Sequence, residues 1–364
     1  MSGRILLSGI GGNNARRSNF ELLRLVSMLM VVNLHSFWGY EHGMGIGQAV
    51  DFFRESACIC AVDAFILISG YWGIKWRFKS LFNLLFQVAF YSFVIYGLSV
   101  FAGVTVYSLK GLVGCFKCFY HSWGFISTYI VLYFLSPVLN AVSERWTTKT
   151  LLVFILVLLL ANIFIMGLNV IITYSTVYLL GRWLRKTDSI SSLKMNAGLL
   201  YLSVTFIIFV IVYSLYRLFG FGAVRMQSLF IGYNYSAPLV IIQGAALLLL
   251  FGRIKITNTR VSRIINWCSS SCLAIYLIHM HPSVKLLYYN YTESLYYKPF
   301  FDHVGYLCLL FICVFIISIL FDKIRMLISN TVLYCLSVAW NSIPYNIRNL
   351  ASYCPGGESS LIPN

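Results

Sequence analysis

Ten apolar runs, most of them near twenty residues, divide this chain, and they leave it few ways to fold. About 20 helical residues, at roughly 1.5 Å each, cross the hydrocarbon layer of a bilayer. Lipid supplies no partners for backbone N–H and C=O groups, so segments that cross it satisfy those groups internally as helices. The runs fall at roughly 20–38, 55–73, 81–103, 124–142, 150–168, 170–184, 197–219, 236–252, 268–289 and 304–322. Composition agrees: 59% of the 364 residues are hydrophobic and 10% are charged. The expected fold class is therefore all-α, a bundle of about ten transmembrane helices.

Charge gives the orientation. With the N-terminus in the cytosol, 20 of the 27 basic residues fall on the cytosolic side, in clusters such as Lys75, Arg77 and Lys79 or Arg253, Lys255, Arg260 and Arg263. This asymmetry matches the positive-inside bias of membrane proteins. The net charge of +16 therefore reports orientation, and no basic cluster interleaved with stacking aromatics points to nucleic acid. Residues 1–18 read as a cytosolic leader, 19–325 as the transmembrane domain and 326–364 as a cytosolic or interfacial tail. "ILLSGI" after Arg4 is too short for the apolar core of a cleavable signal peptide. "CFKC" with His121 supplies two thiols and one imidazole, an incomplete zinc set, so no metal is expected.

Ionisable groups inside such spans are costly and face a bundle interior or a watery cavity, which makes each a functional candidate. In "ELLRLVSMLMVVNLHS", residues 21–36, Arg24 and His35 lie eleven residues apart. Eleven residues make almost three whole helical turns, so the two share one face, with His35 about 16 Å further along the axis. Glu21, three residues before Arg24, is placed to pair with it. An imidazole deep on a face that begins with a cation suits proton transfer beside an elongated anionic ligand; helix–helix hydrogen bonding and a snorkelling Arg are the structural alternative.

The second run, "CAVDAFILISGYW", adds Asp63, which either orients His35, holds a cation or satisfies backbone donors at a helix break. Its Ser69 lacks the glycine pattern of a nucleophile elbow and reads as a packing residue beside Gly70. In "AIYLIHMHP", His279 and His281 point to different helix faces, so one is expected to line a cavity and the other an interface. Candidate cavity-lining residues are thus Glu21, Ser69 and His279.

In order and spacing, "NFELLRLVSMLMVVNLHS", "VDAFILISGYW", "HSWGFISTYIVLYFLSPVL" and "NWCSSSCLAIYLIHMHP" resemble the integral-membrane acyltransferase 3 family. The resemblance spans about residues 18–325. It implies a multi-pass enzyme of the bacterial cytoplasmic membrane that moves an acyl group, often acetyl, from cytosolic acyl-coenzyme A to a sugar hydroxyl of a surface polysaccharide or its lipid-linked precursor. Acyl-CoA is then a co-substrate, with no tightly bound cofactor. The family's first-span Arg and His fall on Arg24 and His35, which implies donor binding by the first and catalysis by the second; Asp63 is the further catalytic candidate, read from its place in the second run and not from the family. The family's pair of arginines flanking one residue is met here by "KWR", Lys75 and Arg77, and Lys lacks the planar fork that grips phosphate. The chain reads as the stand-alone form of the family. A transporter or flippase for a lipid-linked sugar, and a non-catalytic assembly scaffold, are the competing expectations.

Overall fold

The computed structural model describes residues 18–38, 45–116, 124–164, 170–227 and 234–342. Arg4, Arg16 and Arg17 of the leader, and Cys118, His121 and Trp123, lie outside the described residues, as does the tail beyond residue 342. The described residues form helices and no strand. In chain order these are α1 (Ser18–Leu34), α2 (Gly45–Cys58), α3 (Ala61–Trp72), α4 (Phe78–Phe101), α5 (Leu109–Gly114), α6 (Gly124–Arg145), α7 (Thr148–Phe164) and α8 (Val170–Lys186). There follow α9 (Ser189–Ser192), α10 (Ala197–Gln227), α11 (Pro238–Arg253), α12 (Thr259–Ser269), α13 (Cys272–His279), α14 (Pro282–Ser294) and α15 (Phe300–Ser342).

Each expected run holds helix. Among the described residues, five stretches are long and apolar enough to cross a membrane: Ser80–Phe101, Gly124–Arg145, Ala197–Gly220, Thr259–His279 and Phe300–Ser329. Thr148–Ala161 and Pro238–Arg253 are shorter apolar helices. The chain is an all-α membrane protein.

Three of the expected spans are interrupted, and local chemistry explains where. The first stops at Leu34 rather than continuing to 38, because the Ser36 amide and hydroxyl both turn back to the Asn33 carbonyl, at 3.0 and 2.7 Å. The second divides between α2 and α3 at Ile59 and Cys60, and residues 45–54, which lie between the first and second expected runs, are helical. The ninth divides twice. Pro282 has no N–H to extend α13 and holds His281 extended at φ −60°, ψ 136°, while the His281 ring accepts from the Ser283 amide and caps α14. By contrast, α15 passes residue 325 without a break. Pro137 inside α6 leaves the Tyr133 carbonyl without its helical donor, and the Ser136 hydroxyl replaces it at 2.7 Å.

The bundle is tightest where α3 crosses α8. A Cβ on Gly70 would strike the Tyr178 carbonyl, and one on Gly181 would lie 2.6 Å from the Leu67 carbonyl oxygen and 2.8 Å from the Tyr71 nitrogen. Small residues let two backbones approach in a membrane, where packing rather than the hydrophobic effect joins helices. The approach lets Tyr178 reach the turn after α3: its hydroxyl accepts from the Ile74 amide at 2.8 Å and donates to Asn140 Oδ1 at 2.8 Å. Asn140 in turn donates to the Ile74 carbonyl at 2.9 Å. Gly181→Val is expected to force α3 and α8 apart and cost about 1–3 kcal/mol by overpacking. Thermal unfolding in detergent should show a lowered Tm for that variant, whereas Gly97→Ala on α4, where a new Cβ meets nothing within 4 Å, should leave it unchanged or raised. Equal behaviour of the two would contradict the crossing as a tight spot.

Candidate active site

A cavity of about 640 Å³ runs between α1, α3, α6, α8 and α13. Helix α1 contributes Arg24, Met28 and Val31, followed by His35 just past its end. The spacing of four, three and four residues is one helical stripe, so Arg24 and His35 do share a face and a cavity. Arg24 is held by Glu21, whose carboxylate accepts from its Nη1 at 2.8 Å. The Arg24 side chain is still 34% exposed, against 8% for Glu21. Glu21 thus anchors the cation rather than lining the space.

Facing this stripe, α3 presents Val62, Phe65 and Ser69. Ser69 donates to the Phe65 carbonyl at 2.9 Å, and this leaves its oxygen to accept from the Tyr129 hydroxyl at 3.2 Å. Its proton is committed to backbone and no base stands against it, so Ser69 shapes the wall. Phe125 is the hub of the opposite wall: its ring centroid lies 5.8 Å from Tyr129, 6.1 Å from Tyr174 and 5.8 Å from Tyr276. Nothing in the apolar pattern of α6 distinguished Phe125 from a residue facing lipid.

The geometry around His35 defines its tautomer. His279 Nδ1 lies 2.5 Å from the Ile275 carbonyl oxygen. A carbonyl only accepts, so this nitrogen carries the hydrogen and a neutral His279 has a bare Nε2. That Nε2 is 3.0 Å from His35 Nδ1, which therefore donates. His35 Nε2 is left with its lone pair, on a residue that lines the cavity. The two rings sit 5.2 Å apart at 45°. His279 is almost wholly buried and stands behind His35 rather than in the cavity wall. His281 goes elsewhere, to the Ser92 carbonyl at 3.1 Å, as expected for two histidines on different faces.

Asp63 is not the partner of His35. It is completely buried, and neither of its carboxylate oxygens has a hydrogen-bond partner among the described residues. The orienting position that the sequence offered to Asp63 is taken by His279, from a helix 244 residues distant along the chain. Lys75 and Arg77 stand exposed on the turn between α3 and α4 and do not line the cavity. The backbone that carries them is fixed, since the Tyr133 hydroxyl accepts from the Arg77 amide at 2.9 Å and donates back to the Arg77 carbonyl at 2.9 Å. A cation the sequence reading passed over is Arg185, which rests 5.2 Å from the Tyr71 ring centroid and 5.1 Å from that of Trp72. Among the described residues no group of three His, Cys, Asp or Glu could hold a metal ion.

The described residues thus form a many-helix membrane domain in which one helical stripe brings a cation, Arg24, and a neutral imidazole, His35, to the same cavity. The particular family follows from comparison: the model of the acyltransferase domain family, acyltransferase 3, matches residues 17–323. The chain belongs to that family and is an acyltransferase. Neither the curated proteins nor the solved structures gave a match.

Removal of the His279 ring should let His35 rotate and lose its tautomer. His279→Ala is expected to lower acyl transfer per folded molecule about 100-fold, the scale of loss from misplacing a reacting group. Asp63→Asn and His281→Ala should stay within about three-fold of the parent rate, since neither side chain reaches His35. Transfer rates in purified protein, normalised to the folded fraction, check this; a severe loss in Asp63→Asn with His279→Ala unaffected would reverse the assignment.

Proposed function

We propose that this chain is an O-acyltransferase of the bacterial cytoplasmic membrane, oriented with the N-terminal end of α1 in the cytosol. It takes an acyl group, acetyl in the simplest case, from cytosolic acyl-coenzyme A and passes it to a sugar hydroxyl of a surface polysaccharide or its lipid-linked precursor. The observation that carries this reading is the single cavity with Arg24 at one level and the bare Nε2 of His35 about 16 Å along the same helix. That separation is comparable with the length of a phosphopantetheine arm, so one donor molecule spans both residues.

The chemistry follows from the tautomer. His35 Nε2 removes the proton of the acceptor hydroxyl as its oxygen attacks the thioester carbonyl carbon. Collapse of the tetrahedral intermediate breaks the carbon–sulfur bond, and the proton passes from His35 to the departing thiolate. The products are the ester and free coenzyme A, with His35 returned to its starting form. His279 accepts from His35 Nδ1–H throughout, which favours the positive charge that develops on the His35 ring. Arg24, with Lys75 and Arg77 nearer the cytosol, supplies charge-assisted contacts for donor phosphates. The aromatic wall around Phe125 offers ring faces to a sugar or to the thioester arm.

Proton NMR of surface polysaccharide tests the reading, from cells with the gene, without it, and with His35→Ala at matched membrane levels. Loss of acetyl signals in both altered strains is expected. Unchanged acetylation with less exported polymer would move the assignment to a flippase. In purified enzyme, Arg24→Ala should raise the half-saturating acetyl-CoA concentration about ten-fold, a loss of roughly 1.4 kcal/mol of donor binding, while turnover at saturation falls much less.

A further inference from the structure

Just beyond His35 lies a buried polar knot that the site above does not use. Helix α2 buries Gln48, Asp51, Glu55 and Ser56 along one stripe and leaves Ile46, Val50 and Phe53 exposed. This is the reverse of a soluble amphipathic helix, and it aims charge inward. Arg54 emerges beside that stripe and reaches the end of α1. Its Nη1 donates to Asn33 Oδ1 at 2.5 Å and to Ser36 Oγ at 2.8 Å, and its Nη2 approaches the Ser36 carbonyl at 3.4 Å. The same Nη2 is anchored by the Asp51 carboxylate at 3.3 Å and donates to the Tyr296 hydroxyl at 3.3 Å.

Asn33 and Ser36 bracket His35. Ser36 also donates to the Asn33 carbonyl, so one planar fork closes the short turn that carries the imidazole. A cation at this place also complements the negative end of the α1 dipole. Lys would meet the dipole equally well, but it lacks the planar fork whose Nη1 holds Asn33 and Ser36 while Nη2 is anchored on Asp51 and Tyr296. Burying a guanidinium and its carboxylates away from water is costly, and a replacement with apolar side chains often stabilises as much. Stability alone therefore explains the knot poorly, whereas fixing a turn explains the choice of Arg.

We propose that Arg54 is a positioning residue for acyl transfer: anchored by Asp51 and Tyr296, its guanidinium grips Asn33 and Ser36 and so holds His35 against His279 with Nε2 in the cavity. The proposal rests on His35 being the general base. It ties the geometry of the base to α2, and through Tyr296 to the segment joining α14 and α15.

The test is steady-state acetyl transfer from acetyl-CoA to surface polysaccharide isolated from a strain lacking the gene. Detergent-purified, monodisperse Arg54→Lys, Arg54→Gln, Ser36→Ala and His35→Ala are compared with the parent at equal folded concentration. Arg54→Lys and Arg54→Gln are expected to lose turnover about 100-fold, the loss associated with a misplacement of about 1 Å, with the half-saturating acetyl-CoA concentration changed less than about two-fold. Ser36→Ala, which removes one grip point and leaves the Arg54–Asp51 pair intact, should lose about ten-fold. It keeps the test decisive if the Arg54 variants fail to fold. Full activity in His35→Ala would overturn the general-base reading itself. An inactive His35→Ala beside Arg54→Lys and Ser36→Ala at parental turnover would overturn the positioning role alone.

Discussion

The 3.0 Å contact between His35 Nδ1 and His279 Nε2 joins the ends of α1 and α13, and the rest of the site is arranged around it. It exists only because the Ile275 carbonyl fixes the proton on the other nitrogen of His279. A backbone acceptor thus sets the tautomer of one ring, that ring sets the tautomer of the next, and the last nitrogen in the chain is left bare on a residue that lines the cavity. Inside a low-dielectric bundle an unmet polar atom is expensive, so the ordering of donors and acceptors is strongly held.

Interruption of helices recurs around the cavity. His35 sits in the turn that ends α1, His279 closes α13, and the break between α12 and α13 at Ser270 opens onto the same cavity. Non-helical backbone inside a membrane protein is tolerated where it is buried in protein or lines a cavity. The uninterrupted helices, α4 and α15 among them, carry many side chains turned outward, as lipid contact requires.

Arg24 and His35 were legible in the sequence because both lie on one continuous helical path, where 3.6 residues per turn settles who shares a face. That arithmetic could not choose among the roles open to Asp63, since helical phase within one segment says nothing about distance to another segment; its buried carboxylate makes no hydrogen bond to His35. His279 was visible as an ionisable group at membrane depth, but its partner lies 244 residues away and only the packing of α13 on α1 reveals it. Residues 45–54 of α2 fell between the expected spans because Gln48, Asp51 and Arg54 lower the hydropathy of a helix that buries its polar stripe. Phe125 carried no signal, since one aromatic in a hydrophobic helix looks like any other. The family resemblance pointed to Arg24 and His35 as well, and it did not single out His279 as the residue that contacts His35.

The most direct measurement is nitrogen NMR of the enzyme labelled with ¹⁵N-histidine, at neutral pH, with His35→Ala and His279→Ala used to assign the two rings. The account predicts that His35 is neutral with hydrogen on Nδ1 and a bare Nε2, and that this signature is lost in His279→Ala. A His35 ring with hydrogen on Nε2, or one unchanged by removal of His279, would contradict it.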